Sequence, residues 1–212
     1  MNLSGTPARA GRIGRSRLFV LHARAKIGLL LGMQATAVQI FQKILLREPD
    51  DLRALNSIGF SAMRGGNLAL ALTYFERVVE LDQTASNAHF NAAFVCEALG
   101  RLEEAERGFR AAIEIEDTMD RAWYGLGLVL VRQGRLEEAA LALKRNTQLQ
   151  PMSPFGWYQL ARVHLDLCQV DEALAVIRHL KGFEPRVAAQ LEREMAVMLS
   201  NDHATTRSSD RA

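Results

Sequence analysis

Alanine stands at one position five times over, at equal intervals: Ala37, Ala71, Ala105, Ala139 and Ala173. Four residues after each comes a bulky apolar side chain: Phe41, Phe75, Phe109, Leu143 and Ile177. Each lies one helical turn on, along the same face. Glycine holds a third position at Gly32, Gly66, Gly100 and Gly134; Cys168 takes its place the fifth time, so a turn of different construction is expected there. A unit of about 34 residues, repeated without insertion, has to be a supersecondary element that stacks on copies of itself. The alanine implies close approach. It marks the crossing of two helices, where a larger side chain would force them apart at a cost of about 1–3 kcal/mol. The glycine implies a helix end, because it reaches positive φ without steric penalty.

The register runs without a gap through residues 18–51, 52–85, 86–119, 120–153 and 154–187. Glu103-Glu104, Glu137-Glu138 and Asp171-Glu172 follow the turns, where carboxylates favour the positive end of a helix dipole. Pro49, Pro151 and Pro185 fall between units, where they stop a helix. The stretch 120–153 carries Trp123, Leu126, Gly127, Leu130, Ala139, Leu143 and Pro151. Those landmarks are spaced as W-x2-L-G-x2-Y, then A-x3-F, then P, with Leu for both later aromatics. On these residues the chain resembles the tetratricopeptide-repeat family. The resemblance implies an all-α fold, a right-handed α-solenoid of tandem helix-turn-helix repeats, with five repeats in all.

The first unit is the weakest match. Arg24 and Gly28 stand where Leu and an aromatic are expected, and Gln34 replaces the apolar residue supplied elsewhere by Leu68, Leu102, Leu136 and Val170. Such polarity suits an end unit facing solvent; partial order is the alternative. After Pro185, the residues Val187, Leu191, Met195, Met198 and Leu199 form a stripe at helical spacing. A C-terminal capping helix is expected over 186–200, with partner docking as the other use of a Met-bearing stripe. Residues 1–17, basic and rich in Gly and Ser, and the polar residues 201–212 are expected to be disordered. The basic arm is either a solvated tail or a contact for an acidic partner or anionic lipid.

With 212 residues, 49% of them hydrophobic, the chain can bury one continuous core. Its 26 Lys+Arg against 24 Asp+Glu make no global case for nucleic acid. Cys96 and Cys168 fall in different units and read as buried small hydrophobes rather than a disulfide framework or metal site. No apolar run of about 18 residues occurs, so no membrane span is expected. Arg9, Arg12, Arg15 and Arg17 before Leu18-Phe19-Val20-Leu21 faintly suggest a signal peptide. His22, Arg24 and Lys26 break that run at once, and a cytoplasmic protein is expected.

Catalytic signatures are missing from the sequence. His22, His89, His164, His179 and His203 show no H-x-x-x-H or H-E-x-x-H spacing, and no P-loop, G-x-S-x-G or G-x-G-x-x-G occurs. His89 and His164 occupy positions the family gives to Trp and Tyr and read as structural. No enzyme activity, cofactor or metal is expected.

The family resemblance further implies a concave groove lined by the first helix of each repeat. Its facing positions are the second, fifth, sixth, ninth, twelfth and thirteenth. The chosen groove residues are Lys26, Arg53, Phe60, Met63, Arg64, Phe90, Asn91, Phe94, Arg121, Tyr124, Leu128, Arg132, Tyr158 and Arg162. The charges at groove positions are Lys26, Arg53, Arg64, Arg121, Arg132 and Arg162 against Glu97 and Asp166. Phe60 and Phe94 either form an exposed patch that marks a binding site or pack within or between units. The family's carboxylate clamp for heat-shock C-termini is rejected: Phe60 and Gly125 stand where Asn and Arg would be needed, although Asn91 matches and Arg121 is tolerable. The resulting expectation is a scaffold for an acidic segment with apolar anchors. Two other readings stand beside it: a chaperone of the type III secretion kind, and single-stranded nucleic-acid binding through arginines and stacked rings, which the acidic pairs disfavour.

Overall fold

The computed structural model describes residues 14–209, with side chains over 14–198. Among the described residues there are eleven helices and no strand. They fall into two compact units that divide between Arg101 and Leu102. The first holds α1 (Arg15–Leu30), α2 (Gln34–Leu45), α3 (Leu52–Arg64), α4 (Leu68–Leu81) and α5 (Ser86–Ala98). The second holds α6 (Leu102–Ile115), α7 (Asp120–Arg132), α8 (Leu136–Leu149), α9 (Pro154–Asp166), α10 (Val170–Lys181) and α11 (Pro185–Ser209). The division falls in the turn of the third 34-residue repeat.

Close approach explains the recurrent alanines. Ala37, Ala71, Ala105, Ala139 and Ala173 are all fully buried. A second series of small residues, which sequence reading passed over, lies at the eighth position of each unit: Ala25, Gly59, Ala93, Gly127 and Ala161. In α3 a Cβ on Gly59 would lie 2.7 Å from the Phe75 ring, and in α7 a Cβ on Gly127 would lie 2.7 Å from Leu143 Cγ. The missing side chains therefore make room for the bulky apolar residue of the partner helix. Gly125 does the same for Phe109, whose ring atoms would come within 2.5 Å of an added Cβ.

The turns inside the repeats share one construction. Gly32, Gly66, Gly100 and Gly134 have φ between 75° and 78°. Cys168, expected to be buried and to end its turn differently, is exposed and adopts φ 58°. Its turn closes like the others. The amide of Cys168 donates to Leu165 O and that of Gln169 to His164 O, as Gly66 donates to Met63 O and Asn67 to Ala62 O. The local hydrogen bonds outweigh the Cβ clash of a left-handed residue, which costs about 1–2 kcal/mol. Cys168→Gly is accordingly expected to stabilise the protein by about 1 kcal/mol, read as a higher urea midpoint at unchanged slope.

Between repeats, one ring position pins the connecting turn. His89 Nε2 donates to Gln83 O at 3.0 Å, Trp123 Nε1 to Asp117 O at 2.8 Å and Trp157 Nε1 to Pro151 O at 2.9 Å. His89 thus fills the role of the Trp it replaces.

The first and last helices reach into both stretches expected to be tails. Residues 15–17 belong to α1 and 201–209 to α11; the remainder, 1–13 and 210–212, lies outside the described residues. No Gly or Pro interrupts 186–209, so nothing in the chain stops the last helix near Leu199. At the other end, α1 is tied down. His22 Nε2 lies 3.0 Å from Asp51 Oδ2, while Asp51 Oδ1 caps α3 by accepting from the Ala54 amide at 2.8 Å. Ala25 and Gly28 of α1 are buried.

In the second unit a four-member ion network joins α6 to α8. Arg135 bonds Glu106 at 2.7 Å and Glu138 at 2.6 Å, and Arg110 bonds the same two carboxylates at 2.9 and 3.2 Å. Burial pushes the Glu106 carboxyl up, but hydrogen bonds from Arg135, Arg110 and Gln133 outweigh it and hold it below the usual range. A carboxylate so depressed stabilises the fold above its unfolded-state value and loses that contribution as pH falls through its folded value. Glu106→Gln is expected to lower the melting temperature at neutral pH, with the difference closing below about pH 4. A difference that persisted into acid would assign the loss to packing instead.

Candidate peptide-binding faces

In the first unit the groove-position residues stand on α1, α3 and α5. Arg53 and Arg64 are exposed at the two ends of α3. Arg64 is not wholly available: with the Gln34 amide oxygen and nitrogen exchanged, the orientation its surroundings favour, that oxygen accepts from Nη1 and Nη2 at 2.6 and 2.9 Å. Phe60 lies between them. Its ring meets the buried Phe75 edge-on, with centroids 5.2 Å apart, yet 42% of the residue remains exposed. Phe94, at the same register position of α5, is 44% exposed and stacks on Phe90 at 6.2 Å. Both readings of these rings therefore hold in part: one side packs and the other faces water. Met63 and Phe90 are half-buried and Lys26 is exposed. Asn91 departs from the expectation of an accessible groove residue. It is buried, at 7% exposure.

In the second unit Arg121 and Arg132 are exposed at the ends of α7, with Tyr124 and Leu128 half-buried between them. Burial raises the Tyr124 phenol above its ordinary range, against the opposing effect of its hydrogen bond with Gln159 on α9. Tyr158 and Arg162 on α9 are engaged by the last helix. Tyr158 OH donates to Glu194 Oε1 at 2.9 Å and accepts from Gln190 Nε2 at 3.2 Å. Arg162 lies over the Tyr158 ring at 5.9 Å and 4.0 Å from Glu194 Oε2. The charge tally drawn from first helices alone thus missed Glu194. α11 supplies an acid beside a groove-position arginine, and no sequence signal announced it because that helix lies outside the repeat register. A cleft of about 440 Å³ lies along this contact, lined by Arg162, Leu165, Asp166, Arg193, Glu194, Val197 and Met198.

No set of three or more His, Cys, Asp or Glu among the described residues is placed to hold a metal. No described helix is long and apolar enough to cross a membrane.

Repeat length, paired helices and the small-residue crossings find their counterpart in a family model. The model described as tetratricopeptide repeat matches residues 35–88 and 58–120. This is a tetratricopeptide-repeat protein. A second model, described as anaphase-promoting complex, cyclosome, subunit 3, matches residues 110–180 of the same repeat protein. No curated protein matches its sequence. Among solved structures, the tetratricopeptide-repeat protein is similar to MamA at 19% identity and TM-score 0.74, over 81% of this chain and 93% of that one. It is similar to YrrB, titled a TPR protein with an unusual peptide-binding site, at 16% identity and TM-score 0.72 over 82% and 90% of the two chains. TTC0263 of Thermus thermophilus, a thermophilic TPR protein, follows at 21% identity and TM-score 0.58 over 85% and 98%. Identities this low speak for the fold alone. Tetratricopeptide-repeat proteins are interaction scaffolds for protein or peptide partners, and the fold here is of that kind.

Proposed function

We propose that the protein binds a polypeptide segment carrying acidic residues and large apolar anchors, on the exposed sides of α3 and α5. The observation that carries this reading is the pair Phe60 and Phe94, at one register position of α3 and α5 and each more than two-fifths exposed. An aromatic held on one side by its own core is a rigid anchor, since little side-chain entropy is lost when a partner covers the other side. Arg53, exposed on α3, adds a cationic group that favours an acidic partner and rejects a basic one. The YrrB likeness supports peptide binding as a use of this fold, not the position of a site.

A displayed-peptide library panned against the full chain tests the reading. Enriched sequences are expected to combine Asp or Glu with Phe, Leu or Ile, and to be lost on a Phe60→Ala, Phe94→Ala variant. Enrichment of basic sequences, or retention by the variant, sinks it. Tight binding to single-stranded DNA that falls steeply with salt would point to phosphate recognition instead.

A further inference from the structure

The first helix turns an apolar face outward. At roughly 100° per residue, Leu21, Ala25 and Gly28 face α2 and form the packed side of α1. The opposite side carries Val20 and Ile27, 52% and 55% exposed, widened by Phe19 at 71%, Leu30 at 77% and Leu31 at 69%. Met33 in the following turn adds to this surface at 51% exposure. By the same geometry, Arg15 and Lys26 border the apolar strip on one side and Arg17 and Arg24 on the other, all four exposed. An end repeat normally shows water a polar face. Here the end face is the most apolar exposed surface of its helix.

Charge points to the occupant. The first acidic residue in the sequence is Glu48. Ahead of it stand Arg9, Arg12, Arg15, Arg17, Arg24, Lys26, Lys43 and Arg47, a charge of +8. The remaining 18 Lys+Arg and 24 Asp+Glu give −6, which closes to the chain's +2. Two copies of this face would set like charges together, so symmetric self-association is opposed. Nucleic acid would meet the arginines but leave the aliphatic strip uncovered. A strip of aliphatic and aromatic side chains bordered on both sides by Arg and Lys matches a bilayer interface: the strip enters the acyl boundary while the cations reach lipid phosphates on either side.

We propose that the outward face of α1 docks this protein, peripherally, on a membrane containing anionic lipid. His22 and Asp51 fix α1 to the start of α3, so the face is presented by a packed repeat rather than by a loose arm. This surface goes beyond the peptide-binding reading. Val20, Ile27, Leu31, Arg17 and Arg24 all lie outside the groove register, so the two can fail separately.

Flotation of the full chain with vesicles of phosphatidylcholine and phosphatidylserine in a 7:3 ratio, against phosphatidylcholine alone, provides the test. Binding to the anionic vesicles is expected, weakening with salt, with little binding to the neutral ones. Arg17→Gln with Arg24→Gln should weaken it roughly thirtyfold. Val20→Ser with Ile27→Ser and Leu31→Ser should weaken it by more than about tenfold, and since these side chains are exposed the helical circular dichroism should be kept. The proposal is overturned by no binding to anionic vesicles, or by equal binding of the serine variant. It is also overturned if the serine variant instead dissolves a dimer in light scattering, which would make a second copy the occupant. Ile27-dependent binding to soluble polyglutamate as strong as to vesicles would assign the face to an acidic protein and overturn it too.

Discussion

Phe75→Ala is expected to cost about 3–5 kcal/mol, enough to unfold much of the first unit. Phe75 has no exposed surface. Its ring fills the space left by the missing side chain of Gly59 and carries the edge of Phe60. Truncation therefore opens a cavity and removes the support of an exposed anchor in one step. The same geometry makes Gly59→Ala unfavourable by itself, because the new methyl would lie 2.7 Å from the ring. With Phe75→Leu the two changes should compensate: the double variant is expected to be more stable than the sum of the singles predicts, by about 1 kcal/mol or more. Urea unfolding of all four proteins measures the cycle. Additivity would show that Gly59 and Phe75 do not compete for one space.

Phe60→Ala combined with Phe94→Ala is expected to weaken binding of an enriched acidic peptide by about 2–4 kcal/mol. That corresponds to a fall in affinity of roughly thirtyfold to a thousandfold. Stability should change less than in Phe75→Ala, because both rings already have a large exposed fraction. Arg53→Glu should act differently: it should slow association and alter its salt dependence, with a smaller effect on dissociation. Calorimetric titration separates loss of binding from loss of fold, and stopped-flow mixing separates the two kinds of variant. A double variant that folds and binds as before would remove Phe60 and Phe94 from the binding face.

The repeat was legible because its evidence is local and periodic. A crossing alanine, a bulky residue one turn on and a turn glycine each answer a steric demand within one hairpin, and the same demand recurs in each. The eighth-position series Ala25, Gly59, Ala93, Gly127 and Ala161 was equally open to reading, being just as regular. Cys168 misled because residue identity was weighed above context. The backbone hydrogen bonds of the turn hold a non-glycine residue at positive φ. Asn91 misled because helical phase alone cannot tell a half-buried flank from a buried one when neighbouring elements set the depth.

The amino-acid order by itself determined the helical hairpins, their length, their turns and the residues at which they cross, since those follow from backbone sterics repeated at a constant interval. Tertiary structure alone decided how much of each ring reaches water, how α11 brings Glu194 to Tyr158 and Arg162, and that α1 leaves an apolar side uncovered. Exposure is a property of what packs beside a residue. Glu194 meets Tyr158 across 36 positions of chain, a separation at which no pattern of neighbours in sequence carries the information.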